Sequence, residues 1–212
     1  MSKVFVSAGH HLKDSGSSWG TLKENELTIQ VRDELFKLMG QSPYQSVGEY
    51  FYPPDNLTLR ETIDWINSKA DKTDFALEIH FNHSNDTKLR GTEAYYYINN
   101  RFANVFSKSV AGALGIPDRG AKPDYMSYVG ELGFLRKLKC DSVLIECLYL
   151  SNEEDRKALD VKKIAQGIKN GLDVLFSPVV KTDIEKIEEL KIKLNMLQRL
   201  VALWQRIRSL TG

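Results

Sequence analysis

The four histidines of this 212-residue chain fall in two places, His10 with His11 and His80 with His83. Both pairs stand where an apolar run gives way to polar loop, in "VFVSAGHHLKDSG" and "DFALEIHFNHSN". Imidazole is a common zinc ligand, and hydrolytic zinc sites take three protein ligands, His₂Glu among them, with a fourth position left for water. A carboxylate is therefore wanted beside the histidines. Glu24 and Glu26 open the next helical segment. Glutamates at a helix start also offset the macrodipole, so position leaves ligand and dipole partner both open. A further acid, Glu146, sits among apolar neighbours in "SVLIECLYLSN". A carboxylate buried there must meet a cation, a metal or a hydrogen-bond donor. Glu146 is then either half of a structural ion pair or a general base whose pKa its surroundings raise.

These groups meet only if the fold gathers separate strand ends. Strand and helix signals alternate through most of the sequence, which predicts an α/β layer architecture. "KVFVSAG", "SVGEYFYP", "DFALEIHFN", "GTEAYYYI" and "DSVLIECLYL" read as strands. "ENELTIQVRDELFKLMG" reads as a helix, with Leu27, Val31, Leu35 and Leu38 at helical spacing and a stop at Gly40. Further helices are expected in "NLTLRETIDWINSKAD", capped by Asn56 or Thr58, and in "NRFANVFSKSVAGALG". A short and a longer one follow in "NEEDRKALDVKKIAQGIKNGLDVLF". Residues 116–137 read as irregular. In a parallel sheet the carboxyl ends of neighbouring strands open onto one crevice, which is the convergence a metal site needs.

Composition bounds the alternatives. The chain is 42% hydrophobic and 27% charged, enough apolar material for a core of roughly 100–150 residues plus an appendage. A formal net charge of +1 gives no electrostatic case for nucleic acid. Cys140 and Cys147 flank one strand, too far apart along extended chain for a disulfide, and read as free thiols. The opening "MSKVFVSAGH" passes straight into a strand without a secretory pattern, so cytoplasmic synthesis is expected, and action outside would need separate release.

At Pro178 the character changes. Residues 1–177 are read as one compact domain, 178–182 as a linker and 183–212 as a helical tail. Ile187, Leu190, Leu194, Leu197, Val201 and Trp204 follow a spacing of alternately three and four, the seam of a coiled coil or amphipathic helix. Such a seam serves a homo-oligomer, packs back onto the domain, or lays its basic, Trp-containing end on an anionic membrane surface.

Taken together, the order "AGHH…D-x-G…LKENELT…LTLRETIDWINSKADKTDFALEIHFN…GTEAYYY…RGAK…SVLIECLYLSN" resembles the zinc-dependent N-acetylmuramoyl-L-alanine amidases of type 3 from about Val4 to Phe176. The resemblance implies a twisted, mostly parallel sheet with helices on both faces, and one zinc ion per chain. It implies that His10, Glu24 and His80 are the metal ligands and that Glu146, ahead of "Tyr149-Leu150-Ser151-Asn152", is catalytic. Glu26 falls where that family carries a non-ligand acid. The implied substrate is peptidoglycan, cut between N-acetylmuramic acid and L-alanine, by an endolysin or autolysin. A zinc peptidase acting on another amide and a noncatalytic wall-binding or assembly protein are the alternatives.

Two positions depart from that pattern. His11 stands where glycine is usual, and Glu78 where serine is common two residues before His80. Strand residues two apart share a face, so Glu78 is expected to orient a ligand or touch substrate. Asn82 in "Ile79-His80-Phe81-Asn82" and Arg119 and Lys122 in "RGAK" are the other substrate-binding candidates, the two cations for a stem-peptide carboxylate. Residues 121–132, with Tyr125, Met126 and Tyr128, are a candidate groove wall or lid.

Overall fold

The computed structural model describes residues 3–10, 12, 14–40 and 49–176, and in the tail 187, 190–194 and 196–198. Its elements run β1 (Val4–Ala8), β2 (Ser18–Trp19), β3 (Leu22–Lys23), α1 (Glu24–Gly40), β4 (Tyr50–Phe51), α2 (Leu59–Asn67), β5 (Phe75–Asn82) and β6 (Thr92–Tyr96). They continue with α3 (Asn100–Leu114), β7 (Asp118–Pro123), α4 (Gly133–Lys137), β8 (Asp141–Tyr149), α5 (Glu153–Ala158) and α6 (Val161–Phe176). A six-stranded sheet has the order β4-β1-β5-β8-β6-β7, and β2 with β3 forms a separate small hairpin. Within the large sheet every pairing is parallel except that of β6 with β8.

The central strands are apolar on both faces because helices cover both. On one side α1, α3 and α6 bury Val31, Leu35, Phe106, Val110, Ile164 and Ile168 against β1, β5 and β8. On the other, Ile66 of α2 and Phe134 and Leu135 of α4 pack on Phe5, Ala76 and Leu144. Helix starts follow the sequence: Thr58 and Glu61 form a reciprocal capping box at α2, and Asn99 caps α3. Cys140 and Cys147 are both buried free thiols. No helix among the described residues is long and apolar enough to cross a membrane.

The register places the chemistry. β1 runs beside β5 with Ala8 opposite Ile79, so the loop leaving β1 starts next to His80. Across β5, β8 and β6, His80 pairs with Glu146 and Glu146 with Glu93, one rung over three strands. A register shift follows His80, after which Asn82 pairs with Tyr149.

Two expectations need correcting. Residues 116–137 are not irregular throughout: they contain β7, parallel to β6, and the short helix α4. The sequence of β7, "DRGAKP", lacks the branched and aromatic residues that mark strands, and an edge strand tolerates this because only one side is paired. The expected strand "SVGEYFYP" reduces to Tyr50–Phe51 among the described residues. In the tail the described residues are helical, with Ile187, Leu190, Leu194 and Leu197 exposed, while Val201 and Trp204 lie outside the described residues.

Candidate metal centre and active site

The loop after β1 is shaped to bring His10 onto the end of β5. Gly9 donates its N–H to the Ile79 carbonyl at 2.8 Å, and a Cβ there would lie 2.5 Å from the His80 ring, so only glycine lets the chains approach. His10 has φ 63°, an uncommon conformation for a residue with a side chain and one that gathers at functional sites. Gly16, at φ +61°, would put a Cβ 2.5 Å from His10 and 2.6 Å from Glu24. The start of α1 is tied to the same place. Thr28 Oγ1 donates to the Gly9 carbonyl at 2.9 Å, and the Glu24 N–H donates to the Ser17 carbonyl at 2.9 Å.

Glu24 is 2% exposed and faces both histidines. Its Oε1 lies 2.9 Å from His80 Nδ1 and accepts the Phe81 N–H at 2.9 Å. Its Oε2 lies 3.2 Å from His10 Nε2 and accepts the Ser17 N–H at 2.7 Å. The ligand atoms of His10, Glu24 and His80 all fall within 4.8 Å of one another. A tetrahedral ion with bonds of about 2.1 Å sets its ligand atoms about 3.4 Å apart, so this donor set suits a small four-coordinate cation.

The charges favour one too. Burial opposes ionisation of Glu24, but the hydrogen bonds and charges of His10 and His80 override it and hold the carboxyl well below its usual range. His80 is raised well above an ordinary histidine, Glu24 and Glu78 overcoming its desolvation, and His10 is raised mainly by Glu24 against its own burial. Glu146 goes the other way. Burial, with Glu24 and Glu93 nearby and His80 opposing, pushes it up to about 8. The residue is partly exposed, yet its Oε2 is shut off from solvent with no hydrogen-bond partner among the described residues. Three carboxylates, Glu24, Glu78 and Glu146, thus surround two imidazoles, and among the described residues no lysine or arginine forms an ion pair with any of them. A divalent cation would take the place of the protons that the raised imidazoles and Glu146 hold.

Beside this centre a cleft of about 670 Å³ is lined by His80, Asn82, Lys122, Tyr128, Glu146 and Tyr149, among others. Residues 126–129 form part of its wall. A second cavity of about 280 Å³, which also touches His10 and His80, is lined by Glu78 with Leu57, Leu59, Leu132, Phe134 and Leu144. Arg119 stands behind the cleft, its guanidinium on the Tyr149 ring at 5.3 Å and its Nε 2.6 Å from Glu93 Oε2. Lys122 Nζ reaches the same oxygen at 2.5 Å, and Asn82 Nδ2 and the Tyr95 hydroxyl donate to Glu93 Oε1.

Of the remaining candidates, Glu26 is exposed and pairs with Lys23 at 2.8 Å, and His83 is exposed beside Trp19. His11 lies outside the described residues. The sequence reading missed Asp14, whose Oδ2 is 3.0 Å from His10 Nδ1, and Glu93. Glu93 carried the same signal as Glu146, an acid inside an apolar strand.

A His/Glu/His cluster at the carboxyl ends of parallel strands, with an unpartnered glutamate oxygen beside it, is the arrangement of a metal-dependent hydrolase. Residues 4–174 match the N-acetylmuramoyl-L-alanine amidase family, and the chain belongs to it. Among its relatives, the N-acetylmuramoyl-L-alanine amidase CwlM of Bacillus licheniformis is 25% identical over 186 residues, 84% of this chain and 70% of that protein. The endolysin of Bacillus phage SPP1 is 26% identical over 188 residues, 81% of this chain and 65% of that one. Among solved structures, the catalytic domain of CwlV, an N-acetylmuramoyl-L-alanine amidase from Bacillus (Paenibacillus) polymyxa var. colistinus, superposes with a TM-score of 0.69 at 29% identity. The match covers 82% of this chain and 97% of that domain.

Proposed function

We propose that this protein hydrolyses the amide bond between N-acetylmuramic acid and L-alanine in peptidoglycan, with one zinc ion held by His10, Glu24 and His80 and with Glu146 as the general base. The observation that carries the reading is Glu146. It is the rung neighbour of His80, it lines the cleft, and its buried Oε2 has no hydrogen-bond partner among the described residues. When bound, zinc supplies a Lewis acid that polarises the scissile carbonyl and makes water a better nucleophile.

The chain's own groups do the rest. Glu146 takes the proton from the attacking water and passes it to the departing amine of L-alanine, from its place beside His80 on the cleft. Lys122, already beside Glu93 at the cleft, is the group we assign to an anionic stem peptide, with Arg119 holding Glu93 from behind. Glu24 would hold the metal together with the two histidines, and backbone N–H groups from Ser17 and Phe81 fix the plane of its carboxylate. For the tail, residues 183–212, we favour oligomerisation, with a membrane surface second and packing on the domain opposed by the exposure of its described seam side chains. Avidity would help an enzyme that works on a polymer at the cell wall.

The test is product analysis of digested peptidoglycan. New L-alanine amino termini, abolished by a chelator and restored by zinc, are expected. Release of reducing sugars or of other amino termini would overturn the bond assignment, and chelator-resistant hydrolysis would overturn the metal.

A further inference from the structure

On β5, Glu78 and His80 are two residues apart and share a face. Glu78 is 6% exposed, and its Oε2 lies 3.3 Å from His80 Nε2. The other ring nitrogen, Nδ1, is the one facing Glu24 at 2.9 Å. His10 repeats the arrangement, with Nε2 toward Glu24 at 3.2 Å and Nδ1 3.0 Å from Asp14 Oδ2. Each imidazole therefore lies between the shared carboxylate of Glu24 and an outer carboxylate of its own.

We propose that Glu78 is a positioning residue that accepts the Nε2–H of His80 and so fixes the tautomer whose Nδ1 lone pair points into the metal centre. The proposal rests on the zinc reading above. A neutral imidazole carries one N–H and one lone pair, and the group that binds one nitrogen decides the role of the other. Glu78 is not itself a ligand in this geometry, because the imidazole ring stands between it and Glu24. Nor is it interchangeable with Asp14. The Asp14 side chain is 54% exposed and the Glu78 side chain 8%. Glu78 is held among Leu57, Leu59, Phe134 and Leu144, so little of its carboxylate reaches solvent. A carboxylate at this place gives His80 an acceptor on its outer nitrogen and would make it a stronger donor to a bound metal.

The test compares wild type, E78Q, E78L and D14N, each first shown to be folded by circular dichroism. Zinc affinity is measured by competition with a chromogenic chelator, and ¹⁵N spectra of histidine-labelled, zinc-loaded protein report which ring nitrogen is metallated. E78L is expected to bind zinc about 10–100-fold more weakly. E78Q, which keeps a carbonyl acceptor, should lose less, and D14N less than E78L. Wild type should coordinate through His80 Nδ1 with Nε2 protonated. An E78L affinity equal to wild type, or coordination through Nε2, overturns the proposal while leaving the metal centre standing. Wild type that binds no zinc overturns both.

Discussion

Substitution of Gly16 by alanine should empty the metal centre while leaving the domain folded. The added methyl would sit 2.6 Å from Glu24 Oε2 and 2.5 Å from His10 Cδ2, where ordinary contact begins at 3.4 Å. Relief on the Glu24 side alone needs 3.4 − 2.6 = 0.8 Å of movement. Metal–ligand distances tolerate only about 0.2 Å. Glu24 has little room to move, since both its oxygens are held by backbone N–H groups from opposite sides. Gly20 is an internal control, because it has nearly the same backbone, φ +59°, and a Cβ there would meet nothing within 4 Å. Both alanine variants carry the left-handed strain of about 1–2 kcal/mol, a fall in melting temperature of roughly 2–8 °C for a domain of this size. Only Gly16→Ala should lose zinc. Metal content after equilibration with zinc and a thermal melt of the metal-free form separate the two effects. Equal zinc content in the two variants would refute the reasoning, because the contacts with His10 and Glu24 are the only difference it invokes.

Glu146→Gln should keep zinc and fold while hydrolysis falls about 10²–10⁴-fold; loss of the metal instead would mean that Glu146 is a ligand. In chelated protein the same group sets a pH slope. Its carboxyl titrates near 4.5 when unfolded and at about 8 when folded, so the folded form holds a proton that the unfolded form has released. Stability therefore falls as pH rises through that window. The raised His10 and His80 add to the fall above 6.5, and melting curves of Glu146→Gln should show a shallower decline. Around Glu93, Arg119→Ala or Lys122→Ala should each cost about 1 kcal/mol, since one cation remains, whereas the double variant strands a buried carboxylate at about 3–5 kcal/mol. Additivity in urea denaturation would argue against a shared load. Deletion after residue 177 should lower the apparent mass by more than the tail's own and leave the melting temperature of residues 1–177 unchanged.

Strands buried on both faces were the easiest part of the sequence to read. β1, β5 and β8 are largely apolar runs broken by few polar residues, and helices on both sides demand that pattern. The same clarity exposed the histidines, because each stands where such a run stops. The edge was illegible for the complementary reason: β7 is half-solvated, so no apolar pattern is imposed on "DRGAKP". Glu24 and Glu26 look equivalent from their places in the first turn, and only the direction of that turn distinguishes them. One is 2% exposed against the histidines and the other is in solvent with Lys23. Asp14 and Gly16 lie in a loop whose shape no periodicity encodes, although the D-x-G spacing itself was visible.

The pairing of Glu93 with Glu146 shows why residue type alone does not single out the proposed general base. Both are acids inside apolar strands, and they are direct partners across β6 and β8. Glu93 receives two cations, an amide and a phenol, and its carboxyl is held low despite burial. Glu146 receives none of these, and its carboxyl rises. The two cations come from β7, the strand whose sequence signal was weakest. An edge strand thus separates the two acids: by saturating Glu93 it leaves Glu146, the proposed proton acceptor, without those partners beside the proposed ligand His80. If Arg119 and Lys122 were moved off Glu93, the two carboxylates would compete for one proton, and the raised titration now belonging to Glu146 would be shared between them.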